Sequence, residues 1–243
     1  MWAWAAIVVG AAVVVVLAIN LVRVARHPRV ARVTIVDPER HTTMDEGGSV
    51  RSVQAADVVM PAEALEDIWN PMHLERLART YWRFLARVTL GLIRVVYTPA
   101  ERMIVLLTRP LVLLRFQAPE YQMDDVRGLV RWRIERGVLV ARRGRGSGYL
   151  EIEIERRACA KPGMACARVT VEVAYFYPMI AATFSRPVYR MTQAVIHVLV
   201  THAFLRSLAR LDLARSRTGR FEGAEGLSTG NSVAPTRSST GPR

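Results

Sequence analysis

Lysine is almost missing from this chain. Of its 34 lysines and arginines, only Lys161 is a lysine. Acidic residues number 21, so the net charge is +13, which favours anionic partners: a lipid surface, nucleic acid or acidic proteins. Cysteine is scarce too, with Cys159 and Cys166 alone among 243 residues. That count and that length exclude a disulfide-stapled secreted mini-domain. A zinc site finds no CxxC and no second pair of ligands nearby, so no metal site is assigned.

Catalytic signatures are missing as well. No serine sits in a GxSxG setting, and no pair of acids is marked by spacing. His197 and His202 are five residues apart. On one helix they point some 140° away from each other, unlike a helical zinc pair at three or four. "RGRGSG", residues 143–148, looks like a phosphate loop, but a strand-like run follows where a helix is needed. No catalytic residue and no cofactor is therefore assigned, and the balance leans away from an enzyme. No nucleic-acid-binding motif is recognisable either, so nucleic acid is not an expected partner despite the charge.

What is present begins with residues 2–22, "WAWAAIVVGAAVVVVLAINLV", which carry no charge. At about 1.5 Å per residue they reach roughly 31 Å, the thickness of a bilayer core. A cleaved signal peptide fits less well: there is no basic n-region, the run is long, and no small-x-small site follows. Trp2 and Trp4 stand at one end, where indoles favour the interface. Nothing positive precedes the run, whereas Arg23, Arg26, Arg29 and Arg32 follow it. The positive-inside rule then predicts a single-pass protein of the cell membrane, N-terminus outside and the rest cytoplasmic. The four arginines would lie against the anionic leaflet, making the lipid bilayer a partner. Later apolar stretches are interrupted, by Arg87 and Arg94 in 84–97 and by Arg190, His197, His202 and Arg206 in 187–208. The expected organisation is an anchor at 1–22, a basic linker at 23–50, an α+β domain at 51–213 and a disordered Gly/Ser/Thr-rich tail at 214–243.

Within the domain, 51–60 reads as a first strand, with a short strand at "ARVTIV" just before it. Pro61 opens a short helix, "PAEALEDIW", and 72–97 reads as a longer one, because Leu74, Leu77, Tyr81, Phe84, Leu85 and Val88 recur at three and four. Six strand candidates follow: 102–108, 111–117, 129–136, 138–143, 148–157 and 167–176. A closing helix spans 186–213, with a packing face of Val188, Met191, Val195, Val198, Leu205 and Leu208. Pro162-Gly163 marks the turn of the last hairpin. Folding symmetrically there sets Ile154 against Val171, Ile152 against Val173, Leu150 against Tyr175 and Cys159 against Cys166. Glu153 would face Glu172, a mild cost unless an arginine from a neighbouring strand intervenes. The cysteines are expected as two thiols beside a loop, with a disulfide geometrically feasible. By the same logic Ala141 opposes Leu150 and Leu139 opposes Ile152 across 143–148.

Strand, helices, six-stranded antiparallel meander and long C-terminal helix is an order that resembles the helix-grip superfamily, whose members are START-like, Bet v 1-like and polyketide-cyclase-like. The opening "VVMPAEALEDIWNP" is similar to that superfamily's strand, Ala/Pro turn and helix with a Trp. The resemblance covers 51–213 and implies an apolar cavity between a curved sheet and the last helix. Candidates to line it are Trp132, Tyr175, Tyr189, Gln193 and His197, with a hydrophobic small molecule as ligand. A closing helix packed tightly, with no cavity beyond about 300 Å³, would argue against this ligand-binding reading. The rival reading is an interaction or structural protein without a cavity, whose 72–97 helix docks on the membrane or on a protein partner.

Overall fold

Twelve residues of strict alternation build the first long strand. In Val50–Pro61 the side chains of Val50, Ser52, Gln54, Ala56, Val58 and Met60 are buried and their neighbours face out. The computed structural model describes residues 31–36, 42–98, 100–107, 111–179 and 195–210. The proposed span 2–22, the basic residues Arg23, Arg26 and Arg29, and the tail 214–243 lie outside the described residues. Among those described, no helix is long and apolar enough to cross a membrane.

The elements are β1 (Arg32–Val36), β2 (Thr42–Met44), β3 (Val50–Pro61), α1 (Ala62–Ile68), α2 (Pro71–Val88), β4 (Ile93–Tyr97), β5 (Glu101–Leu106), β6 (Val112–Gln117), β7 (Glu120–Met123), β8 (Arg127–Arg136), β9 (Tyr149–Arg157), β10 (Met164–Phe176) and α3 (Val195–Ser207). They form an antiparallel sheet in the order β1-β3-β10-β9-β8-β6-β5-β4, with β2 beside β3 and β7 beside β8. The first long strand thus pairs with the last, closing the meander on itself. β1 and β2 fall inside the stretch read as linker, and Arg32 sits in β1 opposite Val59 rather than in a juxtamembrane segment. The α+β class and the order strand, two helices, meander, closing helix are those the resemblance implied. Of the closing helix, 186–194 and 211–213 lie outside the described residues.

Helix α2 is held at both ends. Asn70 caps the start by accepting from the His73 amide at 3.0 Å, with Pro71 in the first turn. At the other end Leu90 adopts φ 54° and Gly91 φ 78°. The Gly91 amide donates to the Ala86 carbonyl at 2.8 Å and the Leu90 amide to Arg87 at 3.1 Å, a Schellman closure. The helix expected over 72–97 therefore stops at Val88, and "IRVVY" becomes β4, where β-branched side chains suit a strand. The α2 face proposed for docking is spent on the core: Leu74, Leu77, Tyr81, Trp82, Phe84 and Val88 are all buried. Tyr81 and Phe84 meet Phe204 of α3, and Trp82 meets Trp132 of β8 edge-on at 5.2 Å.

Two hairpins depart from the expected register. β9 and β10 pair with Ile154 opposite Val169, Ile152 opposite Val171 and Leu150 opposite Val173, two residues from the symmetric fold. The ladder closes with Arg157 opposite Cys166, which centres the turn on Lys161-Pro162 instead of Pro162-Gly163. A shift of two keeps every side chain on its face. Cys159 and Cys166 are joined as a disulfide, Cα atoms 5.2 Å apart, rather than left as thiols. The glutamates that face each other are Glu151 and Glu172, and arginines from flanking strands relieve them: Arg131 to Glu151 at 2.5 Å and Arg51 to Glu172 at 2.8 Å. The expected strand 138–143 is absent: β8 pairs directly with β9, Trp132 opposite Leu150. Gly137, at φ 154°, turns the chain where a Cβ would strike the Leu113 carbonyl. Residues 138–141 then bond sideways, the Val138 and Leu139 amides to Val112 and Leu113 of β6 and the Ala141 amide to Tyr177.

Candidate functional site

Inner-face residues of the sheet leave a hollow where α2 and α3 cross it. The cavity measures about 180 Å³. Its walls are Tyr81, Trp82 and Leu85 from α2, Ile104, Leu113 and Phe116 from β5 and β6, Ile134 and Leu150 from β8 and β9, Val50, Ser52 and Val173 from β3 and β10, and His197 and Val200 from α3. Among the described residues no Arg, Lys, Asp or Glu lines it. The cavity falls short of the about 300 Å³ expected from the sequence, which counts against a ligand of drug size and leaves room only for a smaller one.

Four polar groups interrupt the apolar wall. The Ser52 hydroxyl shares a hydrogen bond with Thr42 at 2.9 Å and accepts from Gln54 Nε2 at 3.4 Å. Gln54 is fully buried, and its Oε1 meets His202 Nε2 at 2.6 Å. Burial pushes the Tyr81 phenol up to about 12. His197 Nε2 and Trp82 Nε1 are buried without a hydrogen-bond partner among the described residues. Loss of solvation, then the neighbouring His202, pushes the His197 imidazole down to about 4, so the ring is neutral at physiological pH.

Of the residues nominated from sequence, His197 lies on the cavity wall. Trp132 is fully buried one layer behind it, packed on Trp82. Tyr175 is on the opposite face of the sheet. An irregularity in β10 between Val173, opposite Ser52, and Phe176, opposite Val50, inserts one residue, and Tyr175 takes φ 51° there. Strict alternation would have turned Tyr175 inward. The bulge turns in Phe176 instead and leaves Tyr175 60% exposed. There it borders a polar depression of about 390 Å³ with Arg51, Tyr149 and Glu172, in which Arg51 and Glu172 are paired at 2.8 Å. Tyr189 and Gln193 lie outside the described residues. Sequence reasoning passed over Trp82, Tyr81 and Ser52. The first two belong to the apolar face of 72–97, where a packing residue and a lining residue give the same signal. His202 is packed in the core and bonded to Gln54.

No family model matches the chain, and no curated protein does. Among solved structures it is similar to human STARD10, at 8% identity, 77% coverage of each chain and TM-score 0.29. It is also similar to CalU16 from Micromonospora echinospora, at 12% identity over 82% of this chain and 96% of that one, TM-score 0.25. A third is an uncharacterised protein from Rhizobium leguminosarum, at 12% identity over 65% and 97%, TM-score 0.24. Likenesses this loose carry no functional reading, which has to come from the cavity itself.

Proposed function

We propose that this chain is a membrane-anchored cytoplasmic domain of the helix-grip kind that holds a small apolar or lipid-like ligand between its sheet and α2 and α3. The observation that carries the reading is the apolar hollow of about 180 Å³ where three elements that otherwise pack closely fail to meet. Well-packed interiors leave few voids larger than a water, and an apolar cavity of about 150 Å³ stays dry and accepts a benzene ring. The volume fits a single ring or a short alkyl arm. The anchor rests on the uncharged run 2–22 and the arginines after it.

Titrating the full chain in detergent with toluene, while following thermal unfolding, tests the cavity. A saturable rise in Tm is expected, because a ligand that binds only the folded state stabilises it by mass action. The rise should vanish in Leu150→Trp, which fills the hollow. No stabilisation by toluene in the wild type would sink the reading.

A further inference from the structure

Two donor-bearing side chains without a hydrogen-bond partner among the described residues stand on the wall of this one cavity. Trp82 is 2% exposed, and its Nε1 has no partner among the described residues. His197 Nε2 is buried in the same condition, on the facing helix. An indole nitrogen can only donate, whereas an imidazole nitrogen donates or accepts according to tautomer. Leaving a buried polar atom unpaired costs about 1–3 kcal/mol, so such atoms normally find partners. Ser52, a third polar group on the wall, is already engaged with Thr42 and Gln54. Among the described residues, the nitrogens on this wall left buried without a partner are those of Trp82 and His197.

We infer that the ligand of this cavity is an uncharged molecule, a ring or short chain bearing an oxygen acceptor such as a hydroxyl or carbonyl, and that Trp82 Nε1 and His197 Nε2 are the groups that bind that oxygen. The inference rests on the cavity reading above and specifies the ligand's head. A hydroxyl suits both side chains, since its oxygen accepts from an indole N–H while its proton goes to an imidazole nitrogen. A carboxylate does not suit them. Among the described residues no cation lines the cavity to repay its desolvation, and the imidazole beside it is neutral.

Three probes of similar size separate the possibilities: toluene, phenol and benzoate, each titrated into the full chain with affinity read by calorimetry. Phenol is expected to bind about five- to tenfold more tightly than toluene, the worth of one well-placed hydrogen bond, and benzoate not measurably. The phenol preference should disappear in His197→Phe and shrink in Trp82→Phe, with toluene affinity retained. Because either variant could fold poorly, the wild type carries a second readout. Phenol should shift the ¹⁵N resonances of the Trp82 indole and the His197 imidazole, and toluene should leave the hydrogen-bond-sensitive imidazole signal in place. Equal binding of toluene and phenol, with neither resonance responding to phenol, overturns the head-group inference while the cavity reading stands. Failure of all three probes overturns both. Benzoate binding as tightly as phenol overturns the claim of an uncharged ligand.

Discussion

Acidification should unfold this domain earlier than its carboxylates alone would dictate, because of His197. An exposed imidazole titrates near 6.5, and in the folded chain this one is pushed down to about 4. The unfolded chain therefore takes up the proton first as pH falls. Stability from the neutral, buried ring is complete above about pH 6.5, declines from there, and is gone once the pH has passed about 4. At 1.36 kcal/mol per unit, a separation of roughly 2.5 units is worth at most about 3 kcal/mol, a large share of the 5–15 kcal/mol typical of a whole domain. His73 contributes in the same direction, its pKa lowered by burial and by Arg76. Glu66, Glu120 and Asp124 are depressed carboxyls, so their contribution is lost only in a more acidic window, below about pH 4.5. The assay is urea unfolding at half-unit steps from pH 7.5 to 4.5, for the wild type and His197→Phe. Phenylalanine cannot protonate, so the variant should show a flatter decline between pH 6.5 and 4.5, the difference growing to about 2 kcal/mol by pH 4.5–5. Parallel curves for the two proteins over that interval would refute the reasoning and mean that His197 is freely hydrated.

Two further changes probe the frame around the site. Ile152→Asp puts a carboxylate on the inner face, opposite Val171 and Val130 where nothing is exposed, and should abolish cooperative thermal unfolding or cost more than about 4 kcal/mol. A variant that melts like the wild type would mean the sheet faces are misassigned. Reducing Cys159–Cys166, or replacing both with serine, should destabilise the oxidised domain by about 2 kcal/mol, the chain-entropy worth of so short a loop, and dithiothreitol should not affect the double-serine variant. Equal denaturation midpoints with and without the reductant would show that the bond does not form.

The faces of β3, β9 and β10 were legible because alternation states them directly, and a face survives a register error of two. The register itself was not, since Pro162-Gly163 looks like the centre of the turn, whereas the ladder closes at Arg157 and Cys166 and is centred one residue earlier. A shift of that size leaves the alternation unchanged, so the pattern holds no trace of it. Helix α2 ran too far because Leu90 is an ordinary helix former, and its left-handed conformation beside Gly91 is visible only with the capping bonds in place. Residues 138–141 alternate like a strand yet bond to β6 and to Tyr177, so periodicity was present without a ladder. The site was half legible. His197 could be named, but a void is made by elements failing to touch, and neither Trp82 nor Ser52 carries any mark of that in the sequence.

The Cys159–Cys166 bond offers a natural gauge of sidedness. Cytosolic thiol buffers keep such pairs open, whereas exported domains keep them closed. The arginines after residue 22 argue for the reducing side, while the loop geometry is ready for the oxidising one. Trapping intact cells with a thiol alkylator of known added mass, then counting adducts on the full chain, reads out which environment the domain inhabits without any fusion or tag. Two adducts would report a domain bathed in glutathione, with a β9–β10 tip that is looser in the cell than in air-oxidised preparations. No adduct would invert the topology: the same span would then hold the domain on the far side of the bilayer, and any ligand it carries would have to be met there.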